Sequence, residues 1–248
     1  SMTEKSNNNQ KLSLLKHLII LFLLTVVAQL ANIAYESFQN ADPFIPKIVP
    51  SLLFLSFLTL PSLVVGLTLG RDLGLGFFNN SKSGQIQTLK HMLLVSIIAG
   101  IILGLLLLGM RAALLSYLPE NIPQFGFRGF LGGMLVSLGG AVGEEIWFRF
   151  GLMTLMLWSV KKMLKLNHLS DKIVLTMIML SGVLFGMAHL PQLASFDSAT
   201  QFAVWATILG NLLASILYGC CFWRYGLLYA IIAHFSLDMM LHAFPALF

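Results

Sequence analysis

Apolar runs of roughly twenty residues alternate with short polar stretches along nearly the whole of this 248-residue chain. A helix needs roughly 20 apolar residues to cross the hydrocarbon core of a bilayer. Runs near 14–34, 48–70, 91–110, 128–160, 173–190, 200–222 and 226–244 approach or exceed that length. The pattern predicts an all-α, polytopic transmembrane helical bundle. The fourth run is too long for one straight span. It carries Gly132-Gly133, Gly139-Gly140 and Gly143, so a kink, a tilt or a split into two helices is expected there, giving seven or eight spans. No stretch has the dyad alternation of an outer-membrane barrel. Residues 1–13 read as a polar N-terminal tail, frayed over 3–11, and 14–248 as a single transmembrane domain. The first run lacks a small-residue cleavage site and reads as a retained span.

Composition agrees: 57% of residues are hydrophobic and 10% charged, against about 25% charged in an average soluble domain. The net charge of +5 raises nucleic-acid binding as a question, but the basic residues are scattered between apolar runs and form no stripe. They sort by membrane side instead. With seven crossings and a cytoplasmic N-terminus, Lys5, Lys11, Lys16, Arg71, Lys82, Lys90, Lys161, Lys162, Lys165, Lys172 and Arg224 share one side, as the positive-inside rule expects. Lys47, Arg111 and Arg128 fall opposite. A split fourth run would invert everything after it. Cys220 and Cys221 are neighbours, which suits neither a structural disulfide nor a zinc motif.

Seven of the ten acidic residues sit in connections; Glu144, Glu145 and Asp238 interrupt apolar runs. A charge at the centre of a span costs about 2.5–3.5 kcal/mol even on the lenient insertion scale. His189, His234 and Arg149 are placed as awkwardly, and six such groups on three segments suggest one polar interior. Glu145 and Arg149 are four apart and can pair on one helix face, which accounts for them structurally. Glu144 is turned about 100° away and is free for another partner. His234 and Asp238 are also four apart, so the carboxylate can orient the ring. A single intramembrane histidine is more often a helix–helix hydrogen-bonding residue, and Phe185 alone reads as packing. The whole set points to a catalytic or ion-coupling site.

Three short motifs then stand in order: Glu144-Glu145-Ile146-Trp147-Phe148-Arg149 fits Glu-Glu-x-x-x-Arg, Phe185 to His189 fits Phe-x-x-x-His, and His234 to Asp238 fits His-x-x-x-Asn/Asp. Together they resemble the signatures of the CAAX protease and bacteriocin-processing (CPBP, or Abi) family, related to type II CAAX prenyl endopeptidases. The resemblance covers a motif-bearing core at about 128–244, and Arg71 to Leu75 resembles a connection of bacterial members. It implies an intramembrane peptidase in which Glu144 and His189 activate a water, His234 and Asp238 stabilise the oxyanion, and Glu145, Arg149 and Phe185 support the site. It implies a bacterial cell membrane, a membrane-associated peptide or protein substrate, and bacteriocin or pheromone processing or self-immunity. Glu144, His189 and His234 are also acceptable zinc ligands with water in the fourth position, and the resemblance fits both metal-dependent and metal-free glutamate chemistry.

Two other functions compete. One is a catalytically silent immunity or scaffold protein of the same fold. The other is a small ion-coupled transporter, which would call for inverted repeats that the halves do not display. One geometric difficulty stands: with straight helices His189 lies near one membrane face, whereas Glu144 lies nearer the other.

Overall fold

The computed structural model describes residues 2–79 and 86–248, so Lys82 lies outside the described residues. Among those residues every regular element is helical. α1 (Met2–Gln39), α2 (Ile45–Asp72) and α3 (Ile86–Ala113) are long single helices. α4 (Gly129–Glu145) runs through a π-helical segment (Ile146–Met153) into α5 (Thr154–Met163). α6 (Asp171–Met187) and the short α7 (Leu190–Ser195) precede α8 (Gln201–Arg224) and α9 (Leu227–Asp238). A second π-helical segment (Met239–Ala243) continues α9.

Among the described residues six helices are long and apolar enough to cross a membrane, counting α6 with α7 and α9 with the residues that continue it to Leu247, and the continuous 129–163 run is a seventh apolar rod. The fourth run is therefore not split. Its irregularity also lies elsewhere than expected: Gly139, Gly140 and Gly143 are in regular α-helix, and the π segment begins only after Glu145. The polar start of the chain is helical from Met2, and residues 7–11 of it are exposed.

Short connections make neighbouring rods antiparallel. Asp72 lies beside Lys161, Lys162 and Lys165, and Arg224 reaches Asp171 at 4.0 Å. At the opposite end Arg128 pairs with Glu36 at 3.4 Å, and the Asn121 amide donates to the carbonyls of Phe196 and Asp197. Ser170 and Thr200 cap α6 and α8 by accepting from Ile173 and Ala203, satisfying otherwise orphaned amides. The α8–α9 turn is closed by Gly226 at φ 122°, a conformation that favours glycine. Asn79 staples that turn by donating to the carbonyls of Phe222 and Trp223.

Leucine, isoleucine and phenylalanine remain exposed along α1, α2, α3, α6 and α8, as expected for faces solvated by lipid. With lipid as apolar as leucine, helices associate through close packing of small residues. α3 meets α9 at Gly100 and Gly104, where a β-carbon would come to 2.5 Å from the Ala233 carbonyl and 2.8 Å from Met240. α4 meets the second π segment at Gly133, directly against the His242 carbonyl.

The depth difficulty also resolves. α6 is short, and His189 follows its end. Counted up from the 164–170 turn that joins α5 to α6, Glu144 and His189 both stand about five turns along their rods. The fourth rod overshoots at its far end, beyond the site.

Gly133→Ala should lower the apparent Tm in detergent, by the equivalent of about 1–3 kcal/mol for overpacking against rigid neighbours. A thermal scan against the parent protein checks it; an unchanged Tm would mean that α4 is not seated on His242.

Candidate active site

The site is built outward from Glu145. This residue ends α4, and both it and Arg149 are fully buried. Arg149 Nε donates to Glu145 Oε2 at 3.0 Å, the pair read from the four-residue spacing. The other oxygen is used as well: His234 Nδ1 donates to Glu145 Oε1 at 2.8 Å. Glu145 is thus held by one residue of its own rod and one of α9. The Arg149 guanidinium faces the rings of Phe185 and Tyr218, at 5.1 and 5.8 Å to their centroids, where aromatic faces stabilise a cation. Thr154 Oγ1 donates to the Arg149 carbonyl at 3.1 Å, alongside the Thr154 backbone N–H, which donates to the same carbonyl.

Glu144, one position earlier and about 100° around the helix, faces a different environment. Its side chain is 26% exposed and lies between two imidazoles. His189 Nδ1 is 2.7 Å from the Phe185 carbonyl; a carbonyl only accepts, so Nδ1 carries the proton. His189 Nε2 then faces Glu144 Oε1 at 3.6 Å. His234, with Nδ1 committed to Glu145, turns Nε2 to Glu144 Oε2 at 3.5 Å. Both spacings are wider than an ordinary hydrogen bond.

Asp238 Oδ2 is 3.2 Å from His234 Nε2. The carboxylate does lie one turn from the imidazole, but on the ring nitrogen that faces Glu144. The carboxylate behind the ring is Glu145. All seven residues singled out from sequence gather here: Glu144, Glu145, Arg149, Phe185, His189, His234 and Asp238. Phe185 packs at the site: it is 1% exposed and its ring contacts both histidines edge-on, while its backbone carbonyl accepts from His189.

Two neighbours went unread. Tyr218 of α8 stacks flat on His234, with centroids 4.2 Å apart and planes 9° from parallel. Nothing separates such a tyrosine from packing in a one-dimensional pattern. His242 Nε2 lies 4.0 Å from Asp238 Oδ1, and here a signal existed: it repeats the four-residue step from His234 to Asp238.

Residues 125–240 match the family model described as Rce1-like, type II CAAX prenyl endopeptidase Rce1-like. Over that segment, a little under half of the chain, the protein is similar to the Rce1-like family. The matched segment contains all three motifs and every residue of the cluster except His242, and the match supports a CAAX-type intramembrane protease set in a lipid bilayer. No curated protein and no solved structure matches the chain.

The Rce1-like cluster offers zinc-ligand types in Glu144, His189 and His234. Among the described residues, however, no three His, Cys, Asp or Glu side chains are placed to hold a metal ion. Glu144 divides its two oxygens between the two histidines instead of turning them to one point with both rings. The arrangement does not fit a metal centre, and no step below runs through one.

Glu145→Ala should destabilise the protein strongly, by about 3–5 kcal/mol for a buried charge left without its partner, because Arg149 and His234 both lose it. Glu144→Gln, on the partly exposed side, should melt close to the parent. Equal Tm losses in the two variants would contradict this division.

Proposed function

We propose that the chain is an intramembrane endopeptidase that hydrolyses membrane-associated peptide or protein substrates with a water activated by Glu144 and His189. The observation that carries this reading is the tying-off of both histidines through Nδ1, which leaves His189 Nε2 facing Glu144 Oε1 and His234 Nε2 facing both Glu144 Oε2 and Asp238 Oδ2. A water between Glu144 and His189 gives its proton to this pair as its oxygen attacks the scissile carbonyl carbon. General-base assistance of this kind contributes about 10²–10⁴-fold.

Negative charge then develops on the carbonyl oxygen. His234 in its imidazolium form, donating Nδ1–H to Glu145 and Nε2–H toward the substrate, stabilises that oxyanion, with Asp238 balancing its charge. Such donors act most strongly where water is excluded, and Phe185 and Tyr218 wall the ring on its dry side. As the tetrahedral intermediate collapses, the proton taken from water passes to the leaving nitrogen, so a peptide bond and one water become a carboxylic acid and an amine. The basic end of the bundle, with Lys161, Lys162, Lys165 and Arg224, faces the cytoplasm in this reading, as does the N-terminus. The substrate classes follow the resemblance: prenylated chain ends on one hand, bacteriocin or pheromone peptides on the other.

The purified protein in lipid nanodiscs, given quenched fluorogenic peptides with and without a farnesylated C-terminal Cys-a-a-X, should release fluorescence. Glu144→Gln should abolish release while keeping the parent's Tm. Cleavage by Glu144→Gln at the parent rate would overturn the water-activating role. Asp238→Asn should keep the fold and lose about 100-fold in kcat, the scale of a lost oxyanion contribution, as read in the same assay. Undiminished kcat there would show that a neutral side chain suffices at 238.

A further inference from the structure

The glycines of α4 are mostly explained by what presses on them. At Gly132 a β-carbon would come to 2.8 Å from the Tyr35 ring, and at Gly143 to 2.7 Å from Gln29 Nε2. Gly133 abuts the His242 carbonyl. At Gly139 a β-carbon would be in ordinary contact, 3.5 Å from the Gln29 amide of α1, which donates to the Gly139 carbonyl at 2.6 Å. Gly140 is bordered by different chemistry. A β-carbon there would lie 3.5 Å from Asp238 Oδ2, 3.8 Å from Glu144 Oε2 and 3.9 Å from His234 Nε2. Those are ordinary contact distances, and no other atom is nearer. Packing does not ask for glycine at this position, and alanine is the better residue in a helix interior. The three atoms bordering the vacant position are all atoms that the proposed chemistry uses.

The geometry points to Gly140 as the floor of the subsite that receives the scissile peptide group. One turn before Glu144 and on the same helix face, α4 gives up its side chain so that a substrate main chain can approach Glu144, His234 and Asp238 together. The opening is local. About two turns away the same face of α4 is in backbone contact with the second π segment at Gly133, so the two surfaces meet there and part at Gly140. The ligand is an extended peptide main chain, whose planar amide needs the room that a methyl group would take. This rests on the peptidase reading of Glu144 and His189.

Two experiments separate the subsite from that reading. In a detergent-solubilised Cys220→Ala/Cys221→Ala background, Gly140→Cys should react with a charged methanethiosulfonate reagent. Gly139→Cys, turned to Gln29 of α1, should not. This readout needs no substrate. In the fluorogenic assay, Gly140→Ala should lower kcat/KM about 100-fold, the scale on which a reacting group displaced by about 1 Å loses rate, with a Tm equal to or above the parent's. Gly139→Ala, an equal change one residue away, should keep the parent's rate. A folded Gly140→Cys protein that resists the reagent, or a Gly140→Ala protein that cleaves at the parent rate, overturns the subsite. Cleavage retained in Glu144→Gln overturns the water-activating role alone and leaves the subsite to stand on the labelling result.

Discussion

A carboxylate taken out of both water and lipid must find its whole complement of partners inside the protein. Glu145 does so with two: the Arg149 guanidinium one helical turn on, and the His234 imidazole from a helix 89 residues away in sequence. The rest of the site depends on this bridge. It ties the fourth rod to the last, and it fixes which nitrogen of His234 carries a proton and which faces the centre. It also gives Arg149, the largest fully buried side chain, a reason to be there. Removing Glu145 strands both Arg149 and His234 in a medium where an unpaired charge is costly, and removing either of those leaves Glu145 one partner short.

The bridge also divides the cluster into a closed side and an open one. Glu145, Arg149, Phe185 and Tyr218 are at most 1% exposed, whereas Glu144 and His189 are about a quarter exposed. Adjacent positions on a helix point about 100° apart, so two neighbouring glutamates can serve opposite environments. One is locked into structure; the other is partly exposed. The flat stack of Tyr218 on His234 and the edge contacts of Phe185 hold the imidazole plane from the closed side. Rotation of the ring would break the stack and the bridge together.

The two rods that carry the acidic residues of the site pass into π-helix directly after them, at Ile146–Met153 and at Met239–Ala243. A π turn widens the helix and shifts the facing of everything after it, and such segments recur at functional sites. Here the first one carries Arg149 back to Glu145 while the rod continues toward Met163. Periodicity does not reveal it, because Ile, Trp, Phe, Leu and Met are equally at home in either winding inside an apolar interior. The glycine run was visible in the sequence but suggested a kink. Its actual work is close approach at Gly132, Gly133 and Gly143, with Gly140 standing apart.

Hydrophobic run length and the cost of ionisable groups in a bilayer were enough, from sequence alone, to set the all-helical membrane architecture, the approximate position of each rod and the residues that had to converge. These are properties of a residue and its solvent, and they need no partner. Tertiary structure alone decided which nitrogen of each histidine faces Glu144, and that Glu145 rather than Asp238 stands behind His234. It alone levelled His189 with Glu144 through the shortness of α6, and brought Tyr218 onto the imidazole. Each of those depends on the relative height and rotation of two helices. A linear pattern of apolar residues leaves both unspecified, because a lipid-facing rod can turn or slide by a residue without changing its own solvation.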